Sequence, residues 1–110
     1  MGEVSEQLGA RILFENERLR VWDDRVAPGE TQHLHVHQRP YLAVVVSGDK
    51  AETVLEDGTV ERSYDPITAG EAHWFGPEVL PFVHALRNTG STEVSVVIVE
   101  FLDTAEGEGS

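Results

Sequence analysis

The feature that most constrains this chain is a steady succession of short β-favouring runs, each ended by a turn signal. "RILFENERLRVWDDRVAPGE" reads as one or two strands ending at Pro28-Gly29. "HLHVHQ" alternates strictly and reads as a strand, and "YLAVVVS" is apolar on both faces, as a buried strand is. "AETVLEDGTVERSY" reads as a hairpin whose Asp57-Gly58 suits a type I′ turn. "EAHWF" follows Ala69-Gly70, and "FVHALRN" turns at "NTGST" into "EVSVVIVEFL". No long segment carries helical periodicity. The pattern predicts about eight to ten short strands, as in a sandwich or small barrel.

Two of those runs decide between open and closed sheets. Tyr41–Val46 and Val94–Val99 are rich in valine, and as exposed edges they would template aggregation. Folding two sheets face to face buries them. Neither run is long enough to span a bilayer. One domain suits 110 residues, and a core of that size is feasible without staples. There is no cysteine, so disulfides and thiolate metal sites are excluded. The start "MGEVSEQLG" lacks an apolar segment of the signal-peptide kind, and a cytoplasmic location is expected. Residues 1–9 read as a flexible N-terminus, 10–102 as the folded domain, and 103–110 as a disordered acidic tail.

Charge narrows the partners. The net charge of −12 repels phosphate backbones and anionic surfaces, so neither nucleic acid nor membrane is expected as a partner. The apolar strand around Ile12–Phe14 could cross to a second copy.

Three of the five histidines stand at alternate positions, His33, His35 and His37. In a strand they share a face, with Cα atoms about 6.6–6.8 Å apart between neighbours. Two adjacent imidazoles can lean onto one metal with bonds of about 2.0–2.1 Å, but His33 and His37 are too far apart for all three to join. Spacing does not choose between 33/35 and 35/37. His84 alternates with Phe82 and Leu86, so it should face the interior and needs a partner or a metal there. His73 reads as a rim residue near Trp74. Gln32 and Gln38 fall on the opposite parity from the histidines. Glu100 is in step with Val96 and Ile98, but reads slightly better as an outward strand-end acid than as a buried base. Arg39 and Arg87 read as surface cations, and Trp22, Trp74, Phe75 and Phe82 as core.

The spacing Gly29, five residues, His35-Val36-His37, three residues, Tyr41, six residues, Gly48 resembles the first motif of the cupins. His84, three residues, Asn88 resembles the end of their second motif. Gly70-Glu71 is similar to the turn that opens it, although Gly70 to His84 is three residues longer than usual. The resemblance implies an all-β, RmlC-like jelly-roll barrel, the double-stranded β-helix of two antiparallel sheets. It also implies a homodimer, a small-molecule substrate or ligand, and a divalent transition metal (iron, zinc, nickel or manganese) near the barrel mouth. Carried over by position, its ligands are His35, His37 and His84. The usual glutamate is replaced by Tyr41. Some cupins lacking it are dioxygenases with three histidines on iron, and some lyase cupins place a tyrosine beside the metal as a base. Tyr41 and His33 are therefore the candidate catalytic residues. A dioxygenase, lyase or isomerase are the enzyme classes left open, and the alternatives are a metal-free sensing cupin or a structural dimeric barrel.

Overall fold

In the computed structural model, residues 11–102 are described. The expectations for 1–9 and 103–110 lie outside them. Nine strands run in chain order: β1 (Arg11–Glu15), β2 (Leu19–Val26), β3 (His35–His37), β4 (Tyr41–Ser47), β5 (Ala51–Leu55), β6 (Val60–Tyr64), β7 (Ala72–Phe75), β8 (Phe82–Asn88) and β9 (Val94–Phe101). One turn of 3₁₀ helix, Pro77–Val79, precedes β8. Among the described residues no helix is long and apolar enough to cross a membrane.

The strands form two antiparallel sheets, ordered β1-β2-β9-β4-β7 and β3-β8-β5-β6. The valine-rich strands β4 and β9 lie inside the first sheet, each with a partner on both sides. This places the most aggregation-prone backbone where its N–H and C=O groups are already paired. Trp22, Val26, Tyr41, Ala51, Val94, Val96 and Ile98 form the core between the sheets. Burying each of the larger side chains contributes about 1.5–3 kcal/mol.

Local chemistry sets the corners. Asn16 Oδ1 accepts the N–H groups of Arg18 and Leu19 at 2.8 and 2.9 Å, which turns β1 into β2. Gly48 has φ +142°, and a Cβ there would stand 2.9 Å from Ile67 Cδ1. The β5–β6 hairpin differs from the expected two-residue type I′ turn. Gly58 N–H donates to Leu55 O and Leu55 N–H to Thr59 O, enclosing Glu56-Asp57-Gly58 as a three-residue loop. Gly58 takes the positive φ (+89°) that closes such a loop.

The strand expected over residues 33–38 is shorter, only His35–His37. Chain before His35 is held instead by Gln32 N–H to Leu86 O and by a lone bridge between Thr31 and Arg87. Trp74 is a second departure: it is exposed, and its ring meets Phe101 rather than the core. The other three expected core aromatics do face inward, Trp22 in the core and Phe75 and Phe82 on a cavity between the sheets.

Candidate metal centre

Register builds the site. β3 pairs with β8 so that His35 lies opposite His84, and His37 follows one same-face step along β3. The three rings converge, with centroids 4.6–4.8 Å apart. One nitrogen from each lies within 4.8 Å of the others. His37 Nε2 and His84 Nε2 are 2.9 Å apart. Two nitrogens bound to one ion at about 2.0–2.1 Å stand roughly 2.9–3.4 Å apart, so this separation suits a shared metal.

Burial prepares the lone pairs. His35 and His37 are buried and His84 is half-buried. Desolvation pushes all three imidazoles well toward the neutral form, and the neighbouring rings push His37 and His84 further the same way. The carbonyl of His33 lies 3.3 Å from His35 Nδ1. That contact fixes Nδ1 as the donor and leaves Nε2 of His35 with its lone pair free, the outer-sphere arrangement of a ligating histidine. His37 Nδ1 and His84 Nδ1 have no such partner among the described residues. The donor set fits a divalent ion, held with less outer support than usual.

Tyr41 is almost fully buried. Its ring stacks on His37 at 3.7 Å and 13°, and on Phe75 at 4.5 Å and 8°. Its hydroxyl has no hydrogen-bond partner among the described residues. Burial pushes the phenol far above its ordinary value, with smaller contributions from Tyr64 and Glu61. Left to itself Tyr41 is a protonated donor, not a base.

The other sequence candidates separate cleanly. His33 has an exposed side chain that does not line the cavity, and its contribution at His35 is its backbone carbonyl. His73 does line the cavity, but its neighbours are Tyr64, Arg62 and Glu71, not Trp74. Glu100 corrects the outward reading. It is buried, accepts Trp22 Nε1–H at 3.0 Å, and lies 3.6 and 3.5 Å from Arg20 and Arg39. Those partners tie it to the end of the five-stranded sheet, and no histidine is among them. Arg87 pairs with Glu52 at 2.6 Å.

Two cavity residues escaped the sequence reading. Gln32 was set aside by parity, but it precedes the regular strand, so parity does not govern it. It lines the cavity together with Asp24. Asp24, in step with Trp22 and Val26 on β2, was not singled out in the sequence. The cavity has a volume of about 70 Å³. That is room for a few waters. Phe75, Phe82 and Tyr41 wall it at the histidine end.

No protein-family model matches the chain, and no curated protein does. Solved structures do. A cupin domain from Bordetella pertussis Tohama I is 21% identical, covers 90% of this chain and 96% of its own, and superposes with a TM-score of 0.67. An uncharacterised conserved protein with a double-stranded β-helix domain from Klebsiella pneumoniae is 25% identical over 86% of this chain and 71% of its own, with a TM-score of 0.65. A sugar phosphate isomerase of the cupin superfamily from Silicibacter pomeroyi is 19% identical over 76% of this chain and 50% of its own, with a TM-score of 0.54.

Proposed function

From the cupin fold that this chain carries, we propose that His35, His37 and His84 hold one divalent transition metal through their Nε2 atoms, and that the cavity beside them receives a small organic molecule. The convergence of three buried, neutral imidazoles carries this reading. Without an ion, one hydrogen bond between His37 Nε2 and His84 Nε2 at 2.9 Å satisfies a single lone pair and leaves that of His35 Nε2 without a partner among the described residues. A three-nitrogen set of this kind suits iron, zinc or nickel better than a hard oxygen-seeking ion. When bound, such a metal supplies a Lewis-acid centre with positions open to a ligand.

The chain's own residues set what happens around that centre. Phe75 and Phe82 keep water out of the histidine end. Tyr41 offers a hydroxyl that has no internal partner, so its natural acceptor is an oxygen or nitrogen of the bound molecule. With the centre empty, burial keeps the phenol protonated, a proton donor or an anchor. A cation bound at His37 would lower its pKa and favour the base role. The cavity's size favours a small molecule. The sugar phosphate isomerase among the structural neighbours gives one precedent for small-molecule chemistry on this fold, and fold alone does not transfer it.

The second reading is a metal-free binding protein. The observation favouring it is Tyr41 in place of a carboxylate, combined with the unpartnered Nδ1 atoms of His37 and His84. One experiment separates the two. Metal content is measured on purified protein after dialysis, in wild type and in the His35→Ala, His84→Ala double variant. Metal near one equivalent per chain in the wild type, and none in the variant, supports the first reading. Wild type that takes up no zinc, iron or nickel would sink it.

A second copy is the remaining proposed partner. Ile12, Leu13 and Phe14 on edge strand β1 are 45–55% exposed, and the edge offers unpaired backbone to another chain. We place this dimer in the cytoplasm, in keeping with the lack of cysteine. A monomeric mass by light scattering would refute the dimer.

A further inference from the structure

The cavity has a second polar pole that the metal reading does not use. β2 turns Trp22, Asp24 and Val26 inward while Arg25 faces solvent. Asp24 is 7% exposed and lines the cavity, in register with Val96, another lining residue. An aliphatic side chain would pack at this point without penalty. A carboxylate there is costly unless something inside the cavity repays it.

Its internal partner is identified by hydrogen-bond logic. Gln32 Oε1 lies 2.7 Å from the backbone N of Leu86. That N–H can only donate, so the amide oxygen of Gln32 must face it. The amide nitrogen is thereby turned to Asp24, 2.5 and 2.7 Å from its two oxygens. An ionised carboxylate has about four acceptor positions, and one amide nitrogen fills at most two of them. Asp24 has no other donor among the described residues. Its remaining lone pairs belong to the cavity. Burial raises the carboxyl to about 6, with Asp23 adding to the rise and Gln32 opposing it, so at neutral pH the group is still mainly an acceptor.

The same bond fixes where this pole stands. Gln32 is anchored on Leu86, which is one same-face step along β8 from His84. One such step separates the two Cα atoms by about 6.6–6.8 Å, and both poles line the same cavity.

We propose that Asp24, oriented by Gln32, is a ligand-binding residue that accepts a hydrogen bond from a hydroxyl or ammonium group at one end of the small molecule in the cavity. This rests on the reading that the cavity holds a small organic molecule, and not on the presence of a metal. The chemistry selected is a short alcohol, amino alcohol, hydroxy acid or amino acid, with its donor group at Asp24 and its other end at the histidines. A plain carboxylate or alkyl end is rejected there, because it would leave Asp24 facing a like charge or nothing.

The test uses isotope-labelled protein and the side-chain amide signals of Gln32. The probes are 1,3-propanediol, 3-amino-1-propanol and propionate, small molecules of equal heavy-atom count that differ in their end groups. The diol or the amino alcohol should shift the Gln32 signals saturably, and propionate should not. Stronger binding by the amino alcohol assigns the site to ammonium, and stronger binding by the diol assigns it to hydroxyl. Asp24→Asn keeps the shape and should weaken the favoured probe about tenfold or more, as loss of a charge-assisted hydrogen bond does. Gln32 signals unmoved by every probe would overturn the proposal. So would an Asp24→Asn protein that binds the probes as wild type does, the result a merely structural Asp24–Gln32 clamp gives. A parallel zinc titration read at the imidazole signals keeps the two proposals apart. Zinc binding without probe binding sinks the Asp24 proposal alone, and probe binding without zinc sinks the metal site alone.

Discussion

The two ends of the cavity solve opposite problems with opposite sheets. At one end the four-stranded sheet supplies His35, His37 and His84, all neutral, with lone pairs pointed together. At the other the five-stranded sheet supplies Asp24, a carboxylate with a single amide donor from the chain between β2 and β3. Both ends place polar groups where aliphatic ones would be more stable. The histidine end is short of a cation, and the Asp24 end is short of a hydrogen-bond donor. An unfilled valence in a buried site thus states the sign and type of the missing partner, independent of any name for the reaction.

The widest difference should come from removing a histidine. His84→Ala deletes one of three donors and opens space between β3 and β8. Loss of an outer-sphere partner alone costs about 10–100-fold in metal affinity, so loss of a direct ligand should exceed about 100-fold, roughly 3 kcal/mol or more. Zinc titration by calorimetry measures it. Asp24→Asn should leave that zinc affinity within about threefold, because it lies outside the donor set. Equal losses in the two variants would mean that the two ends are not separate sites.

Stability should move in the other direction at the acid end. Raising the Asp24 carboxyl from 3.8 to about 6 corresponds to roughly 3 kcal/mol of native-state cost at neutral pH. Asp24→Asn should recover about 1–2 kcal/mol of it at pH 7, since the neutral amide keeps only part of the bond to Gln32. As pH falls from 6 toward 3.8, the native carboxyl of the wild type takes up its proton before the unfolded one does. The wild type then gains relative to the variant, and the gap should close by about pH 4. Urea unfolding of both proteins at pH 7 and pH 4 reads the difference. The three histidines titrate in both proteins and cancel, while Asp23, whose charge adds to the rise at Asp24, contributes a smaller coupled difference.

At the histidine end stands Tyr41, stacked on His37 and carrying a hydroxyl with no partner among the described residues. Tyr41→Phe keeps the stack and removes the orphan group. Stability should rise by up to about 1 kcal/mol, with zinc affinity unchanged. A loss of stability would mean that the hydroxyl has an internal partner in solution. A drop in zinc affinity would mean that the phenol reaches the metal.

How much of this was legible in the sequence follows from the reach of each signal. Alternation is local, so the strands, the buried β4 and β9, and the shared face of His35 and His37 could be read directly. Motif spacing then brought His84 to the same point, a contact between residues 49 apart in the chain that alternation alone cannot see. Parity failed where the backbone leaves the strand. Gln32 precedes β3, and its side chain turns inward through the bond to Leu86. Both aspartates of "DD" are buried, Asp23 against Arg11 and Arg25 and Asp24 on the cavity, and only the step Trp22, Asp24, Val26 hints at which of them faces the core. Glu100 carried the same hint through Val96 and Ile98, and its burial depends on Trp22 and two arginines brought from other segments.

The smallest expected effect is the one at His33, and it sharpens what the histidine end consists of. The ring is exposed, while the carbonyl holds His35 Nδ1 at 3.3 Å. His33→Ala removes the ring and keeps the carbonyl. Zinc affinity should change by less than about twofold, well below the 10–100-fold expected when an outer-sphere partner is truly lost. A tenfold loss would bring the ring into the site and restore His33 as a candidate proton carrier. An unchanged value would show that the third histidine of the alternating set serves the centre through its backbone alone. The residue type at position 33 would then matter less to the site than the path of the chain that delivers the carbonyl.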